Sequence, residues 1–406
     1  SIMALINIFY SFYFNYLENL SSYLVTMLLS IFFGLFFLFI GKKEKDLINF
    51  YEQLLLIFLV YFFLSFFLLI PYYFSGYYIT FIDSYFESIS GLTGTGFSIF
   101  ENTNYLDQPL ILWRSSTQWI GGFYFLIFLV LIFSNKQFNY KLIDLSFNLE
   151  KKINFSPNLS NTAYKILFIY SSLSVLIFFI FLLSGLRILD SINLTMTVIS
   201  SGGFLPTNTL DEIIINDFQS AILSLCFVIP IFNFYLLYNV IFKRDNLREH
   251  YEDIYLFILI LIFVIVFYFI NDLNLSYVFV NILSSISTSG ITIGSVPNNF
   301  GLYFIILTLI GGSVLSNTSG IKLLRIYILV RAFLIEISKL VKPNVMMSSK
   351  IMFSDKKIIS ENIKISFLIF ILFFLSQFVL SSILLLDTLD FESSFKLSIL
   401  TLTNTA

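Results

Sequence analysis

The 406-residue chain contains a single cysteine, Cys226, and a single histidine, His250. One cysteine allows no disulfide framework and no thiolate metal cluster. One histidine removes every multi-histidine metal site and Ser-His-Asp chemistry in its common form. Charge is also scarce. Asp, Glu, Lys and Arg together make up 12% of the chain, whereas a soluble domain carries ~25%. A soluble globule of this length could not cover its exterior with so few charges. The net charge of −2 comes with no long basic tract, which leaves no electrostatic footprint for nucleic acid. No phosphate-cradling Walker loop is present, so the chain has no ATPase motor of its own. What remains is apolar: 58% of residues are hydrophobic, 19% are aromatic and the mean hydropathy is +0.89. Lipid is the solvent for most of this perimeter, and an all-α integral membrane protein is expected.

A membrane-crossing helix needs ~20 mostly apolar residues. Such runs lie near 22–41, 53–70, 109–134, 163–185, 217–242, 252–271, 301–330 and 362–386, with a shorter one at 3–16. Cytoplasmic loops collect Lys and Arg. Of the 23 Lys and Arg residues, all but Arg114, Arg187 and Lys396 fall on one side of this span map. The opposite side is therefore external. It holds acids including Asp83, Glu87, Glu101, Asp107, Asp190, Asp211, Glu212, Asp272, Asp387, Asp390 and Glu392. An acidic mouth concentrates cations, so Asp83 and Glu87 are expected to draw cations towards the protein.

The external gaps repeat one another. They read FIDSYFESISGLTGTGFSIF (81–100), LDSINLTMTVISSGGFLPTNT (189–209), LSYVFVNILSSISTSGITIGSVPNN (275–299) and LDTLDFESSFKLSILTLTNTA (386–406). Each joins a short helix-like stretch to Gly, Ser and Thr residues, between an outward and an inward span. A half-helix too short to cross must re-enter on its own side. Non-helical backbone at membrane depth is tolerated only when buried in protein or lining a water-filled cavity. Four such loops predict four tandem span–pore-helix–filter-loop–span units in pseudo-fourfold arrangement around a central ion pore. There, backbone carbonyls and hydroxyls replace the hydration shell of a cation. The expected divisions are a leading element at 1–41 and pore units at 42–135, 136–243, 244–342 and 343–406, the last incomplete. A further interruption, LIGGSVLSNTSGIKLLR (309–325), lies inside the seventh span. Gly311, Gly312 and Gly320 each lower helix stability by ~1 kcal/mol relative to Ala. Ser313, Ser316, Asn317 and Thr318 bond readily to backbone, so a break between Gly311 and Gly320 is expected. Lys322 at that depth reads either as a functional cation or as a snorkelling lysine at a helix end.

FESISGLTGTGFS (86–98) with LWRSSTQWIGG (112–122), TVISSGGFLPTNT (197–209), SSISTSGIT (284–292), IGGSVLSNTSGIKLLR (310–325) and LTLTNTA (400–406) together resemble the Trk/Ktr/HKT superfamily of potassium transporter membrane subunits, in its TrkH type. The resemblance implies K⁺ uptake across the bacterial inner membrane, with K⁺ as the transported ion and no cofactor. It also implies a homodimer working with a cytosolic nucleotide-binding regulator. Carried over residue by residue, the filter positions are Gly94–Thr95–Gly96, Ser201–Gly202–Gly203, Thr288–Ser289–Gly290 and Asn404–Thr405–Ala406. The gate runs from Gly311 and Gly312 through Asn317 and Thr318 to Gly320, with Lys322 at its end. Ala406 stands where the family usually has glycine, and Ser319 replaces a glycine before Gly320. The chain stops where the fourth filter begins, so a fragment lacking the last span is expected. The rival reading is a secondary symporter of Na⁺ or a small solute. That would need a midplane pocket between inverted repeats, whereas these repeats share one orientation. A lipid-acting membrane enzyme would need clustered catalytic groups, and the acids here are scattered.

Overall fold

A computed structural model describes residues 1–41, 50–134, 159–234, 236–237, 240, 251–270, 274–294, 301–341, 350, 357–387 and 389–405. Ala406, His250, Asp272 and most of the cytoplasmic lysines of the span map lie outside the described residues. Among the described residues there is no strand beyond one isolated bridge, Lys350 to Lys357. The helices are α1 (Ile2–Tyr13), α2 (Leu20–Gly41), α3 (Phe50–Leu68), α4 (Ile70–Tyr73), α5 (Phe81–Thr93), α6 (Gln108–Ser134), α7 (Leu159–Leu183) and α8 (Ile188–Ser200). They continue as α9 (Asp217–Ile231), α10 (Tyr251–Ile270), α11 (Leu275–Ile286), α12 (Gly301–Ile310), α13 (Leu323–Val341), α14 (Ser360–Leu385) and α15 (Phe391–Leu402).

Among the described residues, five stretches are long and apolar enough to cross a membrane: Leu20–Gly41, Tyr51–Tyr73, Ala163–Leu183, Tyr251–Ile270 and Ser360–Leu385. Their surfaces display large apolar side chains, such as Phe39, Phe58, Leu183, Phe269 and Phe378. Exposed apolar groups at this density are stable only against acyl chains. The protein is a multi-pass membrane protein. The described part of α1 has 12 residues, about 18 Å at 1.5 Å per residue.

Two expected spans are divided. The seventh leaves the helix after Ile310 and re-enters it at Leu323. The fifth carries Pro230 inside α9, and its backbone departs from helix at Phe232 and Asn233. A proline removes one i→i−4 bond and its ring crowds the preceding turn, so the helix breaks where the apolar pattern alone predicts continuity.

The chain forms two compact units, Ser1–Gln137 with Ala163–Ile222, and Phe138–Thr162 with Leu223–Ala406. In the first, α6 lies between α5 and α8, and its small residues bring the backbones together. A Cβ at Gly121 would lie 1.9 Å from the Leu92 carbonyl oxygen, and one at Gly91 would lie 2.1 Å from the Thr117 hydroxyl. Such close approach is how membrane helices gain packing energy without a hydrophobic drive between them. Two indoles fix the neighbours. Trp113 Nε1 donates to Leu68 O at 3.1 Å, and Trp119 Nε1 donates to Ser174 Oγ at 2.9 Å. In the second unit the buried core of α10, α11 and α12 includes Leu256, Val264, Ile282, Leu283 and Leu307.

Candidate functional site

Four short helices, α5, α8, α11 and α15, close with the same backbone device. The residues Gly94, Ser201, Thr288 and Asn404 all adopt left-handed conformations, with φ of 73°, 56°, 61° and 48°. Their amides reach back three residues, to Gly91 O, Val198 O, Ser285 O and Thr401 O, at 3.0–3.2 Å. The following amides, of Thr95, Gly202, Ser289 and Thr405, reach back five residues, to Ser90 O, Thr197 O, Ser284 O and Leu400 O, at 2.9–3.1 Å. This is the Schellman arrangement, which satisfies the last carbonyls of a helix and turns the chain sharply away. Three of the four caps are not glycine, at a cost of about 1–3 kcal/mol each.

Side chains then hold the outgoing limb of each loop. Ser90 Oγ donates to Phe97 O at 2.5 Å, and Thr197 Oγ1 donates to Phe204 O at 2.7 Å. In the first loop Glu87 Oε2 accepts from Ile99 N at 3.0 Å. In the third, at the same offset of twelve residues, Asn281 Oδ1 accepts from Ile293 N at 2.9 Å and Asn281 Nδ2 donates to Ile293 O at 3.1 Å. Gln118 of α6 accepts from Phe204 N at 3.3 Å. Its amide carbon occupies the space 2.3 Å from where a Cβ on Gly202 would project.

The expected filter residues occupy these turns. Gly96 and Gly290 have φ of 86° and 71°, and Gly203 follows Gly202 in the second loop. Thr95 Oγ1 shares a 2.7 Å hydrogen bond with Thr93 Oγ1. Ser289 Oγ lies 3.0 Å from Ser284 Oγ, and Thr405 Oγ1 donates to Thr403 O at 3.1 Å. Several hydroxyls expected to supplement the carbonyls are thus engaged within their own loops. Ser201 differs. Its hydroxyl is buried and has no hydrogen-bond partner among the described residues.

The electrostatic expectation for Glu87 is corrected. Instead of lining an open acidic mouth, Glu87 is fully buried and pairs with Arg114, Nε to Oε1, at 2.8 Å. Ser98 Oγ donates to the same carboxylate at 3.1 Å, and Arg114 Nη2 donates to Ser98 Oγ at 2.9 Å. The guanidinium also lies 4.3 Å from the ring centre of Phe204 in the second loop and 5.4 Å from that of Phe100 in the first. Asp83 is part of a helix N-terminus: its amide donates to Thr80 Oγ1 at 3.2 Å, and Thr80 Oγ1 donates to its carboxylate at 2.6 Å. Asp190 is buried beside Arg187, at 2.6 Å.

The interrupted segment 311–322 is built on backbone and hydroxyl contacts. Gly311 and Gly320 have φ of 60° and 85°, and Lys322, a non-glycine, has 80°. Gly312 N donates to Thr318 Oγ1 at 2.8 Å, and Ser316 Oγ donates to Ser313 O at 2.7 Å. Lys322 is 6% exposed. Its ammonium turns back onto Ser316 Oγ at 3.1 Å, Thr318 Oγ1 at 2.9 Å and Thr318 O, rather than extending to a membrane interface. Asn317 is half-buried in the same loop. The break in α9 grips this segment. Ser313 N donates to Ile231 O at 3.0 Å, and Phe234 N donates to Leu315 O at 2.7 Å. The adjacent buried acids of α10 complete the hold, Glu252 Oε1 accepting from Val314 N at 2.9 Å and Asp253 Oδ1 from Asn233 N at 3.0 Å.

Arg114, Gln118, Glu252 and Asp253 carry much of this geometry and were not among the expected site residues, and Glu87 was expected only as a cation-attracting acid. Two signals pointed to them: Arg114 and Gln118 are spaced i, i+4 on one helix, and two acids open the apolar α10.

The helices and these turns define a multi-pass all-α membrane protein in which four short helices end in the same cap. No protein-family model matches the chain. It is 27% identical over 279 residues to an uncharacterised cation transporter of Methanocaldococcus jannaschii, covering 67% of this chain and 57% of that protein. It is 26% identical over 289 residues to the Trk system potassium uptake protein TrkG of Escherichia coli, covering 64% and 57%. The crystal structure of the potassium transporter TrkH from Vibrio parahaemolyticus superposes with a TM-score of 0.81 at 19% identity, covering 100% of this chain and 88% of that one. The fold is that of the TrkH crystal structure, and over about two thirds of its length the chain is similar in sequence to Trk-system potassium uptake proteins. The chain spans about 57% of the length of these curated relatives.

Proposed function

We propose that this chain is the ion-conducting part of a potassium uptake system in the bacterial inner membrane. Its selectivity filter is formed by Gly94–Thr95–Gly96, Ser201–Gly202–Gly203, Thr288–Ser289–Gly290 and Asn404–Thr405. One observation carries this reading: four short helices end in the same left-handed, doubly bonded cap, at the four places where the sequence turns to Gly, Ser and Thr. A cap of this kind turns the following carbonyls off the helix axis. Four such turns around a common axis supply the carbonyl oxygens that replace a cation's hydration shell. The relatives' printed roles in potassium uptake support K⁺ as that cation.

Each loop belongs to one of the units 42–135, 136–243, 244–342 and 343–406. The segment from Gly311 to Gly320 is the gate. Lys322 secures it by binding Thr318 and Ser316, and it adds positive charge beside the ion path. A homodimer and a cytosolic nucleotide-binding regulator complete the system.

The test is rubidium flux into liposomes containing the full-length gene product, with and without deletion of Ser313–Ser319 and in the absence of any regulator. Selective, K⁺-competed flux from the wild type is expected, with larger, regulator-independent flux from the deletion. A wild type that moves no K⁺ or Rb⁺ overturns the function. Unchanged, still-regulated flux from a correctly inserted deletion variant removes the gate from this segment.

A further inference from the structure

Ser319 is where the interrupted helix touches the third and fourth caps. Its amide donates to Thr288 Oγ1 at 3.1 Å, and its hydroxyl oxygen accepts from Asn404 Nδ2 at 3.0 Å. The two partners hold the same structural place. Each is the left-handed residue that closes its short helix, and each is a non-glycine held in a strained conformation. Thr288 has spent its own hydroxyl proton on Ser287 O, at 2.6 Å, so its oxygen is free to accept from Ser319. The other side of Ser319 has no slack. A Cβ on Gly311 would lie 2.2 Å from Ser319 O, and one on Gly320 would lie 2.6 Å from Thr308 O. Any displacement of 311–320 therefore withdraws Ser319 from both caps together.

We infer that Ser319 couples the gate to the filter, as a positioning residue that holds the Thr288 and Asn404 caps in their ion-selective geometry only while the loop is in place. The inference rests on the proposed identities of filter and gate. It makes the coupling reciprocal: a loop shift loosens two filter corners, and an ion that tightens those corners draws the loop back. Two sites linked through one bistable element must influence each other equally in binding free energy. A glycine at this position would keep the amide and lose the hydroxyl, so the Asn404 branch of this coupling requires a side-chain oxygen here.

The experiment compares wild type, Ser319→Ala, Ser319→Gly and Asn404→Leu in the full-length product. Three readouts are taken: basal rubidium flux in liposomes, inhibition of that flux by Na⁺, and the K⁺ concentration that half-protects the purified protein against thermal unfolding. Each variant is expected to raise basal flux several-fold, lower Rb⁺-over-Na⁺ discrimination several-fold, and shift K⁺ protection to higher concentration. Ser319→Ala combined with Asn404→Leu is expected to do no more than either alone, because both delete one bond. Raised flux with unchanged discrimination and unchanged K⁺ protection would leave a gate uncoupled from the filter and overturn the inference. So would additive effects in the double variant, or no change in any readout. Absence of K⁺-competed flux and of K⁺ protection in the wild type would instead overturn the proposed function, and this inference with it.

Discussion

Neutralising Glu87 tests whether the acid at the first loop is a structural anchor or part of a cation-attracting surface. Glu87 and Arg114 are 0% and 2% exposed as side chains, 2.8 Å apart. The carboxylate also accepts from Ser98 Oγ and Ile99 N. Glu87→Gln preserves the shape but leaves the guanidinium buried without a counter-charge, an arrangement that costs about 3–5 kcal/mol. Arg114→Met strands the carboxylate and should cost a similar amount. The two residues contact each other directly, so the double variant should be well short of additive, with an interaction energy of roughly 1–3 kcal/mol. The assay is a double-mutant cycle on thermal or denaturant unfolding of detergent-solubilised protein, read alongside rubidium flux. Flux from the single variants should fall in parallel with stability, and its discrimination against Na⁺ should weaken as the first loop loses its tether. The reasoning is refuted if Glu87→Gln unfolds within about 0.5 kcal/mol of wild type, or if the single effects simply add. A stable Glu87→Gln protein whose only defect is a higher K⁺ requirement at low ionic strength would restore the surface-attraction reading, since long-range fields between exposed charges are screened within ~8 Å at physiological salt.

Gly121→Ala should prevent the normal seating of α6 on the first short helix. Its new methyl would meet the Leu92 carbonyl oxygen at 1.9 Å, and overpacking typically costs ~1–3 kcal/mol; wild-type yield and melting behaviour in a size-exclusion stability assay would contradict this contact. Asp107, just ahead of α6, has its pKa raised from 3.8, mainly by burial and against hydrogen bonds from Asn19 and Tyr77. The folded state therefore keeps this proton to higher pH than the unfolded chain does. Stability attributable to Asp107 is greatest below about pH 3.8 and falls as pH rises through the folded pKa. Asp107→Asn should flatten that part of a melting-temperature-against-pH curve; an unchanged slope would show that another group sets it.

The spans and the four turns after the short helices were legible because both signals are local. An apolar run of membrane length announces a helix, and a Gly-, Ser- and Thr-rich stretch on one side of the map announces a turn. The break between Ile310 and Leu323 was legible for the same reason. The break after α9 was also marked locally, by Pro230, but it sits in so strong an apolar run that hydropathy masks it. What could not be read was pairing at a distance. Glu87 and Arg114 are 27 positions apart, and Asn404 and Ser319 are 85 apart. Counting charges by side therefore put Glu87 and Arg114 on an external surface, when each neutralises the other inside. The acids Glu252 and Asp253 are legible as an anomaly at the head of an apolar helix. Their use, holding Val314 and Asn233 by backbone amides, needs the tertiary fold.

The three strained caps have a consequence for how such a protein can change. In an assembly of identical subunits, one codon alters the same turn in every copy at once. Here Gly94, Ser201, Thr288 and Asn404 are encoded separately, so each turn can vary while the other three keep their chemistry. Glycine is the least costly occupant of such a turn, yet it offers a neighbour nothing to grasp. Threonine and asparagine accept the conformational cost and, in return, provide a handle, and in this chain both handles are held by Ser319. Strain at a repeated turn thus becomes a point of access, through which one turn can be tuned or regulated without altering the other three.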